Sequence, residues 1–283
     1  MKELQFFDFK SVGESSIKLP KPIIKEHDGI KVVRDDLLDG GTKRRAFNVF
    51  IESFPDVKEW VYASPREGYA QLSLAYACND LGKKATVTIP KGKHNWLTTE
   101  SIRLGCNIIE VPMGYLTNIQ YQAKKYVEEN EAQLIPFGGD HPIIIEAMKN
   151  VALSLDIEPP KEVWTVMSSG VLSRGLQLAW PDAKVYGVRI GHNTTERERG
   201  RAETFISKYK FNQECKENGE LYGTIKPKQI ANIIKEKAGA DVAPSLIILK
   251  EELKKIGSYS AVINFHPEVK ATITIKIDKI KSN

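Results

Sequence analysis

The sequence predicts an α/β fold, doubly wound around mostly parallel sheets and followed by a small α+β unit. From about Lys31, short apolar strands alternate with helical stretches, the order that a helix-covered parallel sheet requires. After Gly191 the segment HNTTERERGRAETFISKYKFNQECKENGE turns polar and poor in strand formers. The chain then closes on a short unit with a pattern of its own.

In the first part, GIKVVRDD, EWVYAS and KATVTIP read as strands. Between the last two, GYAQLSLAYACNDLG places Leu72, Ala75 and Tyr76 at helical spacing and stops at Gly82, which makes a βαβ crossover. A second crossover runs through the strand CNIIEVP, the helix around NIQYQAKKYVEEN and the strand QLIPFG. A third takes EVWTVMSSG into the helix VLSRGLQLAW and the strand KVYGVRIG. The change of character places a boundary near Asn218. Residues 1–218 form the α/β region, with a smaller subdomain at about 60–160 inserted in a larger one, and residues 219–283 form the tail. In the tail Pro227 opens a helix whose stripe is Ile230, Ile233 and Ile234, ending before Gly239. LIIL follows, then a turn at Gly257. The run ATITIKI sets Ala271, Ile273, Ile275 and Ile277 on one face against Thr272, Thr274 and Lys276 on the other, a half-buried strand.

At 283 residues and 41% hydrophobic content the chain can bury a real core. No apolar stretch approaches the roughly 20 residues of a membrane span, and the first twenty residues hold no signal-peptide run, so a cytoplasmic location is expected. Cys78, Cys106 and Cys215 are far apart, without a CxxC pair or nearby histidine spacing. They read as reduced thiols, with no disulfide framework and no metal site. The net charge of +5 is concentrated in the tail, where 11 lysines face 7 acids from Gly219 onward. A solvated lysine face explains this more simply than an RNA-binding surface. A nucleotide-binding domain is disfavoured, because neither GxxxxGK[ST] nor a GxGxxG after the first strand is present.

The chemistry-bearing segment is RDDLLDGGTKRRAF, Arg34 to Phe47. A strand ends at a double glycine, and Lys43 follows at the start of a helix beside Arg44 and Arg45. Those neighbours are expected to lower its ammonium pKa, as a Schiff-base lysine needs; a surface basic cluster is the plain alternative.

This string resembles the lysine segment of the second fold type of pyridoxal-phosphate enzymes, in the branch of aminocyclopropane-carboxylate deaminase and D-cysteine desulfhydrase. Further segments are similar and fall in the family's order over about residues 25–195: ASPREGYAQ, Ala63 to Gln71; LIPFGGDHPIIIEAMKNVALSL; and MSSGVLSRG, Met167 to Gly175. The resemblance implies pyridoxal 5'-phosphate bound through Lys43, with Ser168, Ser169, Gly170, Ser173 and Arg174 around its phosphate at a helix N-terminus. It implies a substrate loop of Ser64, Arg66, Glu67 and Gly68, with Ser64 also near the reacting atoms. The implied activity is that of a lyase or deaminase acting on a small amino acid or amine, and a homodimer is among the assemblies it allows. The chain departs from the family pattern at Arg66, where an asparagine is usual, and at Val171 and Leu172. It departs also in lacking the later strands that carry the partner of the pyridine nitrogen. Asp140 and His141 before Pro142 read as a helix start with a capping aspartate rather than an acid/base pair.

The tail resembles the C-terminal domain of the ninth large-subunit ribosomal protein of bacteria, through LYGTIKPKQI and FHPEV above all. That implies contact with ribosomes or RNA through the tail. A shortened enzyme fold with a ribosomal tail reads as a gene fusion of the kind found in a phage or a compact genome, or as an engineered chimera. The competing function is a catalytically degenerate adaptor that reaches ribosomes or RNA through the tail.

Overall fold

The computed structural model describes residues 13, 15–112, 116–190, 195–206, 208–238, 242–266 and 269–280. Residues 1–12, Gly191, Gly239, Pro267 and Glu268, used in the sequence reading, lie outside these. The chain divides into two compact units. One comprises Met1–Val163, Ser169–Lys184 and Glu196–Arg201; the other comprises Trp164–Ser168, Val185–Thr195 and Ala202–Asn283.

The first unit begins with a hairpin of β1 (Ile24–His27) and β2 (Ile30–Val33). The sequence places GIKVV in the parallel sheet, but Asp28 and Gly29, at φ of 50° and 80°, make a two-residue turn that folds it back on β1 instead. The helix α1 (Gly41–Glu52) follows, and then β3 (Glu59–Ala63), α2 (Ala70–Asp80), β4 (Lys84–Pro90), α3 (Trp96–Arg103), β5 (Asn107–Val111), α4 (Leu116–Glu129) and β6 (Gln133–Leu134). The four strands are parallel, in the order β5-β4-β3-β6. The chain steps outward from β3 to β5 and then returns to the other side of β3. The strand order therefore reverses between β3 and β6, and the loops leaving those two strands lie at the switch point, where sheets of this kind hold ligands.

Phe47, Phe50, Trp60, Leu74, Val87, Ile89 and Ile143 are buried in one core. The helix α5 (Pro142–Leu153) joins it, and α6 (Val171–Ala179) packs closely on α5. Gly175 permits that approach, since a Cβ there would lie 2.6 Å from the Met148 Cβ. The cap of α5 is not the aspartate expected from the sequence. His141 is the N-cap, its Nδ1 accepting from the Ile143 N–H at 3.2 Å, while Asp140 is drawn into ion pairs with Arg174 and Arg197.

The His141 ring lies edge-on to Phe50 at 4.9 Å, and burial lowers its pKa below the usual 6.5, with the Asp140 charge opposing. The unfolded chain therefore takes up this proton first as the pH falls. The cap's contribution is complete above the unfolded pKa and is lost as the pH falls through the depressed folded value. Asparagine caps without titrating, so His141→Asn should lose less stability than the wild type as the pH is lowered from about 7 to about 5. Urea unfolding at the two pH values measures it, and equal losses would dismiss the histidine cap as a source of acid sensitivity.

The second unit holds β7 (Glu162–Met167) from Trp164 onward, β8 (Lys184–Arg189) from Val185 onward, and β9 (Glu203–Ile206), in a sheet of order β7-β8-β9. The short helix α7 (Glu196–Arg199) precedes β9 in the chain and belongs to the first unit. A second sheet has the order β10-β15-β14-β12, from β10 (Lys208–Gln213), β12 (Ile247–Leu249), β14 (Gly257–His266) and β15 (Val269–Lys279). The strands β11 (Glu220–Ile225) and β13 (Leu253–Lys255) pair antiparallel, and α8 (Pro227–Ala238) supplies Ile230 and Ile234 to a core with Phe211, Ala261, Ile273, Ile275 and Ile277. The polar stretch before Asn218, expected to lack strands, contributes β9 and β10. Pairing of β10 with β15 along six residues and burial of Phe211 override its composition.

Candidate functional site

Three segments distant in sequence meet on the peptide unit of Gly138, in the loop that leaves β6. Lys43, in the first turn of α1, donates from Nζ to the Gly138 carbonyl at 3.2 Å, and the Ser169 hydroxyl donates to the same oxygen at 3.2 Å. On the other side of that peptide the Gly138 N–H donates to the Tyr62 hydroxyl at 3.0 Å. Tyr62 comes from β3, and its ring stacks on Phe137 at 6.3 Å. The lysine and the serine turn, 126 positions apart, are thus neighbours through one carbonyl at the reversal point of the sheet.

The local sequence explains how each group arrives. Gly40 and Gly41 take φ of 83° and 63°, so the chain turns sharply into α1 and delivers Lys43 two residues after the bend. Gly138, at φ 74°, lies so close to Ser169 that a Cβ would sit 2.3 Å from the serine Cβ. Gly170, at φ 72°, opens α6 with no side-chain cap.

Burial of the Lys43 amine lowers its pKa from the usual 10.5, favouring the neutral form. The arginine neighbours, expected to do this by repulsion, are committed elsewhere. Arg44 forms a bidentate pair with Asp80, 2.7 Å at the closer contact, and Arg45 pairs with the buried Asp35 at 2.7 Å. Desolvation is the cause that remains. Tyr62 is likewise pushed up to about 12 by burial, against the opposing hydrogen bond from Gly138.

The other predicted residues are placed as follows. Ser64 is fully buried at the end of β3, its hydroxyl donating to the Pro65 carbonyl at 2.9 Å, and Gly68 closes the same turn onto Pro65. Arg66 is spent on backbone carbonyls, those of Pro90 at 2.9 Å, Lys93 at 3.2 Å and Lys91. Glu67 accepts from the Asn95 amide at 2.8 Å. Ser173 is buried and accepts from Gln177 at 3.1 Å, and Arg174 donates to Asp140 at 2.7 Å. Ser168 is exposed and belongs to the second unit. The geometry thus links Lys43 with Ser169 through the Gly138 carbonyl, while the Ser64–Gly68 loop is tied by Arg66 and Glu67 to the segment from Pro90 to Asn95. Tyr62 and Gly138 were not singled out from the sequence as site residues, and Asp140 reads there as a helix cap. The repeat of a double glycine, in LLDGGTK and again in IPFGGDH, is the signal that would have found Gly138.

Pyridoxal phosphate requires an enclosed neutral amine and donors for a dianion. The amine is Lys43. The donors are available at the start of α6, where the Ser169 hydroxyl stands next to the Gly170 turn and Arg174 Nε is buried without an acceptor. The residues present fit the group. Among the described residues no cluster of His, Cys, Asp and Glu would hold a metal ion, and no helix is long and apolar enough to cross a membrane.

Comparison with known proteins finds likenesses for both the α/β part and the C-terminal part of the chain. A solved structure described as an ACC deaminase homologue superposes with a TM-score of 0.59, covering 83% of this chain and 84% of that one at 15% identity, which shows the fold. The α/β part has the fold of the second type of pyridoxal-phosphate enzymes. Residues 199–279 match the family profile of the ribosomal protein L9 C-terminal domain. Large ribosomal subunit protein bL9 of Acetivibrio thermocellus is 30% identical over 92 residues, which are 31% of this chain and 62% of that protein. The bL9 of Pelagibacter ubique is 39% identical over 69 residues, 24% of this chain and 45% of that protein. The chain spans about half the length of the curated relatives it matches. The chain therefore joins an α/β fold similar to that of the ACC deaminase homologue to a region that matches the ribosomal protein L9 C-terminal domain.

Proposed function

We propose that the chain binds pyridoxal 5'-phosphate through Lys43 and acts on a small amino acid or amine, by deamination, elimination or a related reaction at the α-carbon. The observation that carries this reading is the shared Gly138 carbonyl, which holds a desolvated amine and the serine turn of a helix N-terminus together. When bound, the cofactor supplies an electron sink for charge developing at the α-carbon. The protein supplies the rest. Lys43 Nζ, whose pKa burial lowers, would be the atom that holds the cofactor and that moves the α-proton. Ser169, the amides around Gly170 and Arg174 hold the phosphate, with Ser168 and Ser173 in the same segment. Tyr62 fixes the Gly138 peptide from its N–H side, so the lysine is aimed by a rigid partner. The turn of Ser64 to Gly68, braced by Arg66 on the loop after β4, presents its backbone to the substrate carboxylate. The tail, by its likeness to bL9, would bring this activity to ribosomes or RNA in the cytoplasm.

The purified chain mixed with cofactor should develop a near-visible absorption band, and borohydride should fix the group on Lys43, located by peptide mass mapping. No band, or a band unchanged in Lys43→Ala, rejects the assignment.

A further inference from the structure

An open cleft of about 520 Å³ lies on the first unit, and none of Lys43, Ser64, Gly138 and Ser169 lines it. Its walls come from the turn before α1, the start of α2 and the start of α3. Tyr69 and Trp96 face it with their rings 6.0 Å apart and inclined at 66°, and both are well exposed, Trp96 at 63%. Tyr76 adds a third ring, and Asp36, Asp39 and Glu100 add three carboxylates. No lysine or arginine is among the lining residues.

The carboxylates differ in their availability. Asp36 is paired with Arg34 and Glu100 with Arg103, whereas the Asp39 carboxylate forms no ion pair among the described residues. The ring of Tyr76 already attracts a cation on this unit, since the Arg44 guanidinium lies 4.6 Å from its centroid. The phenol of Tyr69 is raised by burial and then by the charges of Asp39 and Asp36, so both carboxylates act on this ring. Two exposed aromatic rings inclined to one another, with carboxylates beside them, attract a cation whose hydration shell is weak. An anion is repelled, and a strongly hydrated inorganic cation gains little from the rings. The volume suits a free small molecule rather than a protein segment.

We propose that this cleft binds a small molecule bearing a quaternary or alkylated ammonium group, held between Tyr69 and Trp96 with Asp39 as its counter-charge. The site is separate from the lysine pocket and does not rest on the catalytic reading.

Choline and its neutral carbon isostere dimethylbutanol, titrated calorimetrically into the full chain, test it. Choline should bind saturably and at least about fivefold more tightly than the isostere, the factor that one cation–π contact with a counter-charge supplies. Trp96→Leu should abolish binding of choline. Asp39→Asn should weaken choline by about fivefold and leave the isostere unchanged. Both side chains are exposed, so neither change endangers the fold. Lys43→Ala should bind choline as the wild type does. Equal affinity for the two probes, absence of saturation, or loss of choline binding in Lys43→Ala would overturn the proposal.

Discussion

Replacing Phe50 by alanine should destabilise the first unit by about 3–5 kcal/mol, the range for removing a fully buried aromatic ring from a core that cannot collapse. Phe50 has no exposed surface, and its ring meets Trp60 at 5.1 Å, Phe54 at 5.2 Å and His141 at 4.9 Å. Three elements therefore depend on it: α1, which carries Lys43; β3, which carries Tyr62; and the start of α5, which follows Gly138. Phe50→Leu keeps most of the volume and should cost only about 1–1.5 kcal/mol. Urea unfolding followed by tryptophan fluorescence gives both values, with Trp60 as the adjacent reporter. A loss below about 1.5 kcal/mol in Phe50→Ala would mean that the ring cluster is loosely packed and does not hold the three elements together.

The parts of the fold that announce themselves in the sequence are those whose burial follows a period. In EWVYA and KATVTIP nearly every residue is buried, as a central parallel strand requires; the apolar run WVYA announces this, whereas in KATVTIP the buried Thr86 and Thr88 alternate with apolar residues. The tail strand ATITIKI was legible for the opposite reason, strict alternation, with Ile273, Ile275 and Ile277 inside. The helix α3 was not legible. In WLTTESIR the buried residues are Leu97, Thr98 and Ser101, while Trp96 and Ile102 are exposed, so the apolar residues do not trace its inner face. Its burial is decided by hydrogen bonds, Thr98 to Gln71 and Asn95 to the Arg66 carbonyl, that join segments far apart in the chain. The site follows the same rule. Lys43 could be picked out because a double glycine marks a sharp bend locally. Its cause of pKa depression could not, because the fate of Arg44 and Arg45 depends on Asp80 and Asp35 in the folded chain. Tyr62 reads as one more apolar strand residue, since nothing in EWVYA shows that its hydroxyl will meet a backbone amide 76 positions later.

Gly138→Ala should abolish cofactor attachment at Lys43, and Gly82→Ala should leave it untouched. Both glycines occupy the left-handed region, at φ 74° and 61°, so a side chain at either costs about 1–2 kcal/mol of backbone strain. They differ in their surroundings. Around Gly82 a Cβ meets nothing within 4 Å, whereas at Gly138 it would lie 2.3 Å from the Ser169 Cβ and 2.6 Å from its hydroxyl. The loop after β6 must then move away from the start of α6, and the carbonyl that Lys43 and Ser169 share moves with it. A displacement of about 1 Å at a covalent attachment point is enough to cost about 100-fold in rate. The expected result is a stability loss in both variants, larger for Gly138→Ala, with the absorption band and borohydride trapping retained only in Gly82→Ala. The rate of reductive methylation at Lys43, measured without cofactor, should rise in Gly138→Ala alone, because its amine loses the acceptor that encloses it. Trapping that survives in Gly138→Ala would show that attachment does not need this peptide, and the convergence on Gly138 would then be packing without chemical consequence.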